Sequence, residues 1–143
     1  MCPEARCPVM TTNRSDGQYI LIVEDDADLR SVEAEVLGAD GFEVRTAGDG
    51  IEALEAIDAT GPPRLILLDL RMPRLNGWDL AARLRANERL RGIPIIVVAA
   101  HLAIAEEASS IGARAWLHKP VSIDHLLAVV RRVSGERSSG AAM

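Results

Sequence analysis

Cysteine is almost missing from this sequence, and where it occurs it is isolated: Cys2 and Cys7 both fall in the opening stretch MCPEARCPVMTTNRSDG. Neither has a partner elsewhere in the chain that would complete a metal site or a disulfide framework. Long hydrophobic runs are missing too. The longest, within IPIIVVAAHL, is broken by Pro94 and His101 and is too short to span a bilayer. The opening residues also hold no apolar core of signal-peptide type, so a cytoplasmic protein with no membrane partner is expected. Nor is there an excess of positive charge. Sixteen Lys and Arg against 21 Asp and Glu leave a net −5, which argues against a general nucleic-acid binder.

What is present suffices for one domain. A chain of 143 residues with 48% hydrophobic residues can bury most of its apolar surface around a single core. The expected division is a disordered tail over 1–17, a folded domain over 18–135, and a second disordered tail over 136–143, where ERSSGAAM is too short and polar to form a domain.

Five strand-like runs appear: YILIV from Tyr19, FEVRTA from Phe42, LILLDL from Leu65, IIVVAA from Ile95 and AWLHK from Ala115. A stretch with helical spacing follows each one. Leu29, Val32, Val36 and Leu37 form the first apolar face, with Gly41 just beyond its end. Asp49 and Glu52 have capping-box spacing ahead of Ile51, Leu54 and Ile57. Leu80, Ala81 and Leu84 line the third helix, and a short fourth falls between Ile104 and Ile111. Ser122 caps the fifth, whose stripe is Ile123, Leu126, Leu127 and Val130 before Gly135. Runs one, three and four are apolar throughout, as strands covered on both faces must be, whereas FEVRTA alternates. Strict βα alternation predicts an α/β fold with a doubly wound, five-stranded parallel sheet. In such a sheet ligands sit beyond the carboxyl ends of the strands, near the point where strand order reverses.

Those ends read Glu24, Asp25 and Asp26 after strand one, Asp69 after strand three, Ala99 and Ala100 after strand four, and Lys119 after strand five. Any one acid there could simply cap the following helix, as Asp26 or Asp28 could for the helix from Leu29. The set together, with a lysine opposite, predicts a site. Crowded carboxylates repel unless a cation shares them, and a hard divalent ion with oxygen ligands is the natural partner.

Over about residues 18–135 the sequence resembles the receiver domain of two-component response regulators, a flavodoxin-like (βα)5 fold. ILIVEDDADLR resembles the family's acidic motif, LILLDLRMPRLNGWDL its phospho-acceptor motif, and WLHKP its terminal Lys-Pro motif. The resemblance implies that Asp69 accepts a phosphoryl group from a sensor histidine kinase or phosphotransfer protein. It implies Mg2+ held by Glu24, Asp25, Asp69 and the backbone carbonyl of Arg71, with Lys119 supplying a point charge and a cis Lys119–Pro120 bond. With only ERSSGAAM after Gly135, a stand-alone signalling module is expected, one that at most phosphorylates and dephosphorylates itself. Its signal would reach a downstream protein through helix four, strand five and helix five.

The resemblance breaks at the fourth strand end. The family's switch hydroxyl, Thr or Ser, is replaced by Ala99, and a methyl group cannot donate. A hydrogen bond to a charged group is worth about 1.5–3 kcal/mol, so its loss weakens the phosphorylated state roughly ten- to a hundredfold. Trp116 stands at the second switch position, either in that role or as a partly buried indole against helix four. His101 and Arg71 border the expected pocket as candidates to supply the missing donor. A degenerate receiver, acting as an interaction module without phosphorylation, is therefore the alternative. A haloacid-dehalogenase-type phosphatase wants an acid two residues after its nucleophile, where Arg71 stands. A flavodoxin wants a phosphate-cradling loop after the first strand, where this chain has acids.

Overall fold

In the computed structural model, which describes residues 19–70, 76–100 and 104–142, strands and helices alternate strictly along the chain. The strands are β1 (Ile20–Val23), β2 (Val44–Ala47), β3 (Leu65–Asp69), β4 (Ile95–Ala99) and β5 (Ala115–His118). The helices are α1 (Ala27–Ala39), α2 (Gly50–Thr60), α3 (Gly77–Ala86), α4 (Ile104–Ile111) and α5 (Ile123–Ala142). The strands pair in parallel in the order β2-β1-β3-β4-β5, so the order reverses between β1 and β3, as the doubly wound expectation requires.

Side-chain alternation divides the core into two layers. Ile20, Ile22, Leu65, Leu67, Ile96, Val98, Ala115 and Leu117 pack on one face, against Leu37 of α1 and Leu126, Val129, Val130 and Val133 of α5. Leu21, Val23, Ile66, Leu68, Val97 and Ala99 pack on the other, against Ala53 and Ile57 of α2, Leu80, Ala81 and Leu84 of α3, and Ala108 and Ile111 of α4. Strands β1, β3 and β4 are buried along their whole length, whereas β2 at the sheet edge is mostly exposed, in line with the two kinds of run read from the sequence.

The helix starts are fixed by side chains that satisfy otherwise orphaned N–H groups. Asp26 accepts from the Asp28 and Leu29 N–H groups at the head of α1, Asp49 from Glu52 in α2, and Asn76 from Asp79 in α3. Ser122 Oγ accepts from His125 N–H at 3.0 Å and caps α5. Helix α4 ends at Gly112, whose φ of 82° is left-handed. There Ala113 N–H donates to the Ala108 carbonyl at 2.8 Å, and the Arg85 guanidinium from α3 donates to the Ile111 carbonyl.

Three expectations need correction. In α1 the inward face runs through Leu29, Glu33 and Leu37, so Val32 is turned out (47% exposed) while Glu33 is buried. A step of about 100° per residue allows Leu29 and Leu37 to share a face only with position 33 between them. In α5 the stripe is Leu126, Val129, Val130 and Val133, and Ile123, in the first turn past the end of β5, stays 52% exposed. Helix α5 also continues past Gly135, read from the sequence as its end, to Ala142. A single interior glycine costs a helix only about 1 kcal/mol, so Gly135 is a weak stop. The opening tail lies outside the described residues.

One glycine joins the fold to its functional end. A Cβ on Gly77 would lie 2.7 Å from the Leu70 Cα and 2.8 Å from the Asp69 carbonyl oxygen, both backbone atoms that cannot move aside. Gly77→Ala is therefore expected to cost about 1–3 kcal/mol through overpacking, seen as a lowered urea midpoint at unchanged slope.

Candidate functional site

The side-chain parity that builds the core also builds the site. Continuing the sequence of inward residues on the α1–α5 side, Ile20 and Ile22 lead to Glu24, Leu65 and Leu67 to Asp69, and Ala115 and Leu117 to Lys119. Carboxylate oxygens of Glu24, Asp25 and Asp69 lie within 4.8 Å of one another. The Lys119 ammonium is 3.1 Å from Glu24 Oε1 and 3.4 Å from Asp69 Oδ2. Glu24 and Asp69 are buried and Asp25 is exposed, so the group forms the floor and one wall of an open cavity of about 250 Å³. Asp26, Ala99, Ala100 and Lys119 complete its lining.

The loop that carries the acids is held by its own hydrogen bonds. Asp26 N–H donates to Glu24 Oε2 at 3.2 Å, and the Arg30 guanidinium donates to the Glu24 carbonyl at 2.8 Å. Because the Asp26 carboxylate is occupied in capping α1, the acid cluster consists of Glu24, Asp25 and Asp69. Lys119 is set by its own N–H, which donates to the Ala99 carbonyl at 2.8 Å, and the Lys119–Pro120 bond is cis, as the resemblance implies.

Crowding of charge shows in the acidities. Burial, then a hydrogen bond and charge repulsion from Asp69, push the Glu24 carboxyl up to about 8, against the opposing pull of the Asp26 N–H and Lys119. Burial works against the Lys119 ammonium, yet the charges of Asp69 and Glu24 outweigh it and raise its pKa. Hard carboxylate oxygens gathered at one cavity wall with an excess of negative charge are a donor set that suits Mg2+ or a similar hard cation.

Most of the expected site residues meet. Glu24, Asp25, Asp69 and Lys119 converge, and Ala99 presents its methyl to the same cavity. Arg71 and His101 lie outside the described residues. Trp116 is not the partly buried indole against α4 that was one expectation: it is 49% exposed and lines a separate cleft with Arg114, His125, Val129 and Arg132. On the short edge strand β5, Ala115 and Leu117 are turned into the core while Trp116 is left uncovered, beside the α5 residues that share its cleft. Trp78, by contrast, packs partly buried against the α2–α4 side of the core.

Two residues were missed in the sequence. Arg30 carries no signal beyond helical spacing from the acidic loop. Glu33 does carry one, since it stands midway between Leu29 and Leu37 on the face that must be buried. It is 3% exposed, and its Oε2 has no hydrogen-bond partner among the described residues, an arrangement that costs about 1–3 kcal/mol. Burial pushes its carboxyl up to about 7, with the Lys119 charge opposing the rise and the Asp69 charge adding to it.

Residues 20–131 match the family model described as the response regulator receiver domain. Among curated proteins, the transcriptional regulatory protein PdtaR of Mycobacterium tuberculosis is 38% identical over 124 residues, covering 86% of this chain and 60% of that one. The response regulator MprA of Mycobacterium ulcerans is 37% identical over 114 residues, covering 78% of this chain and 48% of its own. The chain thus spans about half to three-fifths of the length of these relatives. Among solved structures, the receiver domain of NtrX from Brucella abortus superposes with a TM-score of 0.74 at 33% identity, covering 81% of this chain and 98% of that one. The chemotaxis protein CheY4 of Vibrio cholerae gives 0.75 at 29% identity, with the same coverage. Sequence and fold agree over the whole βα repeat that carries the strand-end acids, and the chain belongs to the response regulator receiver domain family.

Proposed function

We propose that Asp69 accepts a phosphoryl group from a phosphohistidine of a sensor histidine kinase or phosphotransfer protein. The observation that carries this reading is the contact of a buried Asp69 with the Lys119 ammonium, 3.4 Å away, at the floor of a cavity open to a donor. An Asp69 carboxylate oxygen attacks phosphorus, the P–N bond to imidazole breaks, and an acyl phosphate forms on Asp69. Little covalent help is needed for such a transfer, since alignment and charge neutralisation do most of the work. Lys119 meets the phosphoryl charge, and Glu24 holds Lys119 in place. Glu24, Asp25 and Asp69 would hold Mg2+, together with the Arg71 carbonyl that the resemblance adds. Bound there, the ion neutralises phosphoryl oxygens as a Lewis acid.

The signal then leaves through protein contacts on α4, β5 and α5. Supporting this are the half-exposed Trp116 and Ile123 and the cleft that Trp116 shares with His125 and Arg132. No described helix is long and apolar enough to cross a membrane. A second reading rests on Ala99, whose methyl lines the cavity where a hydroxyl would hold the phosphoryl group: the receiver is then recognised by its partner without phosphorylation.

Three outcomes are expected. Incubated with Mg2+ and acetyl phosphate, the full chain gains the mass of one phosphoryl group and Asp69→Asn does not; an unmodified wild type leaves only the second reading. Ala99→Thr tightens binding of fluoroberyllate in the presence of Mg2+ roughly tenfold or more, by restoring a hydrogen bond to a charged group. The third concerns pH. Because Glu24 keeps its proton in the fold up to about 8 but loses it near its ordinary value when unfolded, its contribution to stability is full at low pH and fades as pH rises toward 8. Metal-free protein should melt progressively lower from pH 5 to pH 8, Mg2+ should restore more stability at pH 8 than at pH 5, and Glu24→Gln should flatten the metal-free profile.

A further inference from the structure

Lys119 is the sole lysine of the chain, the other fifteen of its sixteen Lys and Arg residues being arginine. Its ammonium is the cation of the strand-end site, and three acids bear on it, two in contact and one through charge alone. Glu24 and Asp69 do so from the cavity side, at 3.1 and 3.4 Å. The third is Glu33. Lys119 continues the Ala115–Leu117 side of β5, which packs into the layer beneath α1 and α5, and Glu33 enters that same layer one turn from Leu37. Helix α1 starts directly after β1 at the cavity end, so a turn back from Leu37 is a step toward the cavity. Glu33 therefore sits between the apolar core and the ion cluster, 97% buried by its 3% exposure and with an oxygen that no described group satisfies. Its neighbour Val32, an apolar residue suited to that place, faces solvent instead.

We propose that Glu33 is a positioning residue for Lys119, drawing the ammonium toward the α1–α5 layer and so limiting its hold on a phosphoryl group at Asp69. This rests on the phospho-acceptor reading for its consequence, though not for the coupling itself. An anion arriving at Asp69 gains most when the whole of the lysine's charge is turned to the cavity. A buried acid on the far side withholds part of it, and that acid feels both the Lys119 and the Asp69 charges. The residue sets how long and how tightly the receiver stays switched, while the transfer chemistry stays with Asp69 and Lys119.

A single lysine makes the test direct. Full-length protein grown with 15N-labelled lysine gives one side-chain signal, visible only while the ammonium protons are held in ion pairs. It is compared in Mg2+ buffer for the wild type, Glu33→Gln and Glu33→Leu, each first shown to be folded by its melting curve. Fluoroberyllate affinity is then measured for wild type, Glu33→Gln, Lys119→Gln and the double variant. The expected result is faster proton exchange at Lys119 in both Glu33 variants. Glu33→Gln should also bind fluoroberyllate roughly three- to tenfold tighter, a gain that shrinks when Lys119 is already replaced. A lysine signal indifferent to Glu33, or an equal gain on both backgrounds, overturns the proposal. If the signal depends on Glu33 but the wild type binds no fluoroberyllate, the positioning stands and the phospho-acceptor reading falls.

Discussion

Repulsion among carboxylates is the constraint around which this molecule is arranged. Three acid groups within 4.8 Å would drive one another apart or hold protons they would otherwise release, and Glu24 does the latter. A parallel sheet solves the problem by register. With β1 between β2 and β3 and with β5 at the far edge, identical side-chain parity sends two acids and one ammonium to the same rim. Buried, uninterrupted strands hold that parity, because a slip of one residue would turn every core side chain to the other face. The site is thus a by-product of how the core alternates, and its geometry is as stable as the core.

Much of this was legible before any coordinates. Apolar runs of strand length and helix caps such as Asp49 and Ser122 announced the βα repeat, since both signals depend on neighbours in sequence. Glu24, Asp25, Asp69 and Lys119 were legible because strand ends in this architecture converge whatever the loops do. Glu33 was not, because Val32 satisfied the apolar pattern and a charged neighbour reads as a solvated face by default. Which of two adjacent positions turns inward depends on where Leu29 and Leu37 dock, a tertiary matter. Trp116 escaped for a related reason: β5 is an edge strand, and no local pattern says whether the groove beside it is filled.

Ala99 and Glu33 work on the same quantity from opposite sides of the sheet. Ala99 belongs to the α2–α4 layer and Glu33 to the α1–α5 layer; on the proposed reading each would subtract from what the cavity can offer a phosphoryl group, one by lacking a donor and the other by its charge on the ammonium. The fold tolerates both residues because neither replaces a member of the Glu24, Asp25, Asp69 and Lys119 cluster.

The bond from Arg85 to the Ile111 carbonyl has a mechanical meaning. Helix α4 begins at the rim that holds the ion cluster and ends at Gly112 on the far side of the sheet, where α3 grips its last turn. Helix α3 is itself seated on the end of β3 through Gly77. Helix α3 thus braces the last turn of α4 at the end away from the cavity while its own first turn rests on the strand that ends in Asp69, so one helix ties the two together.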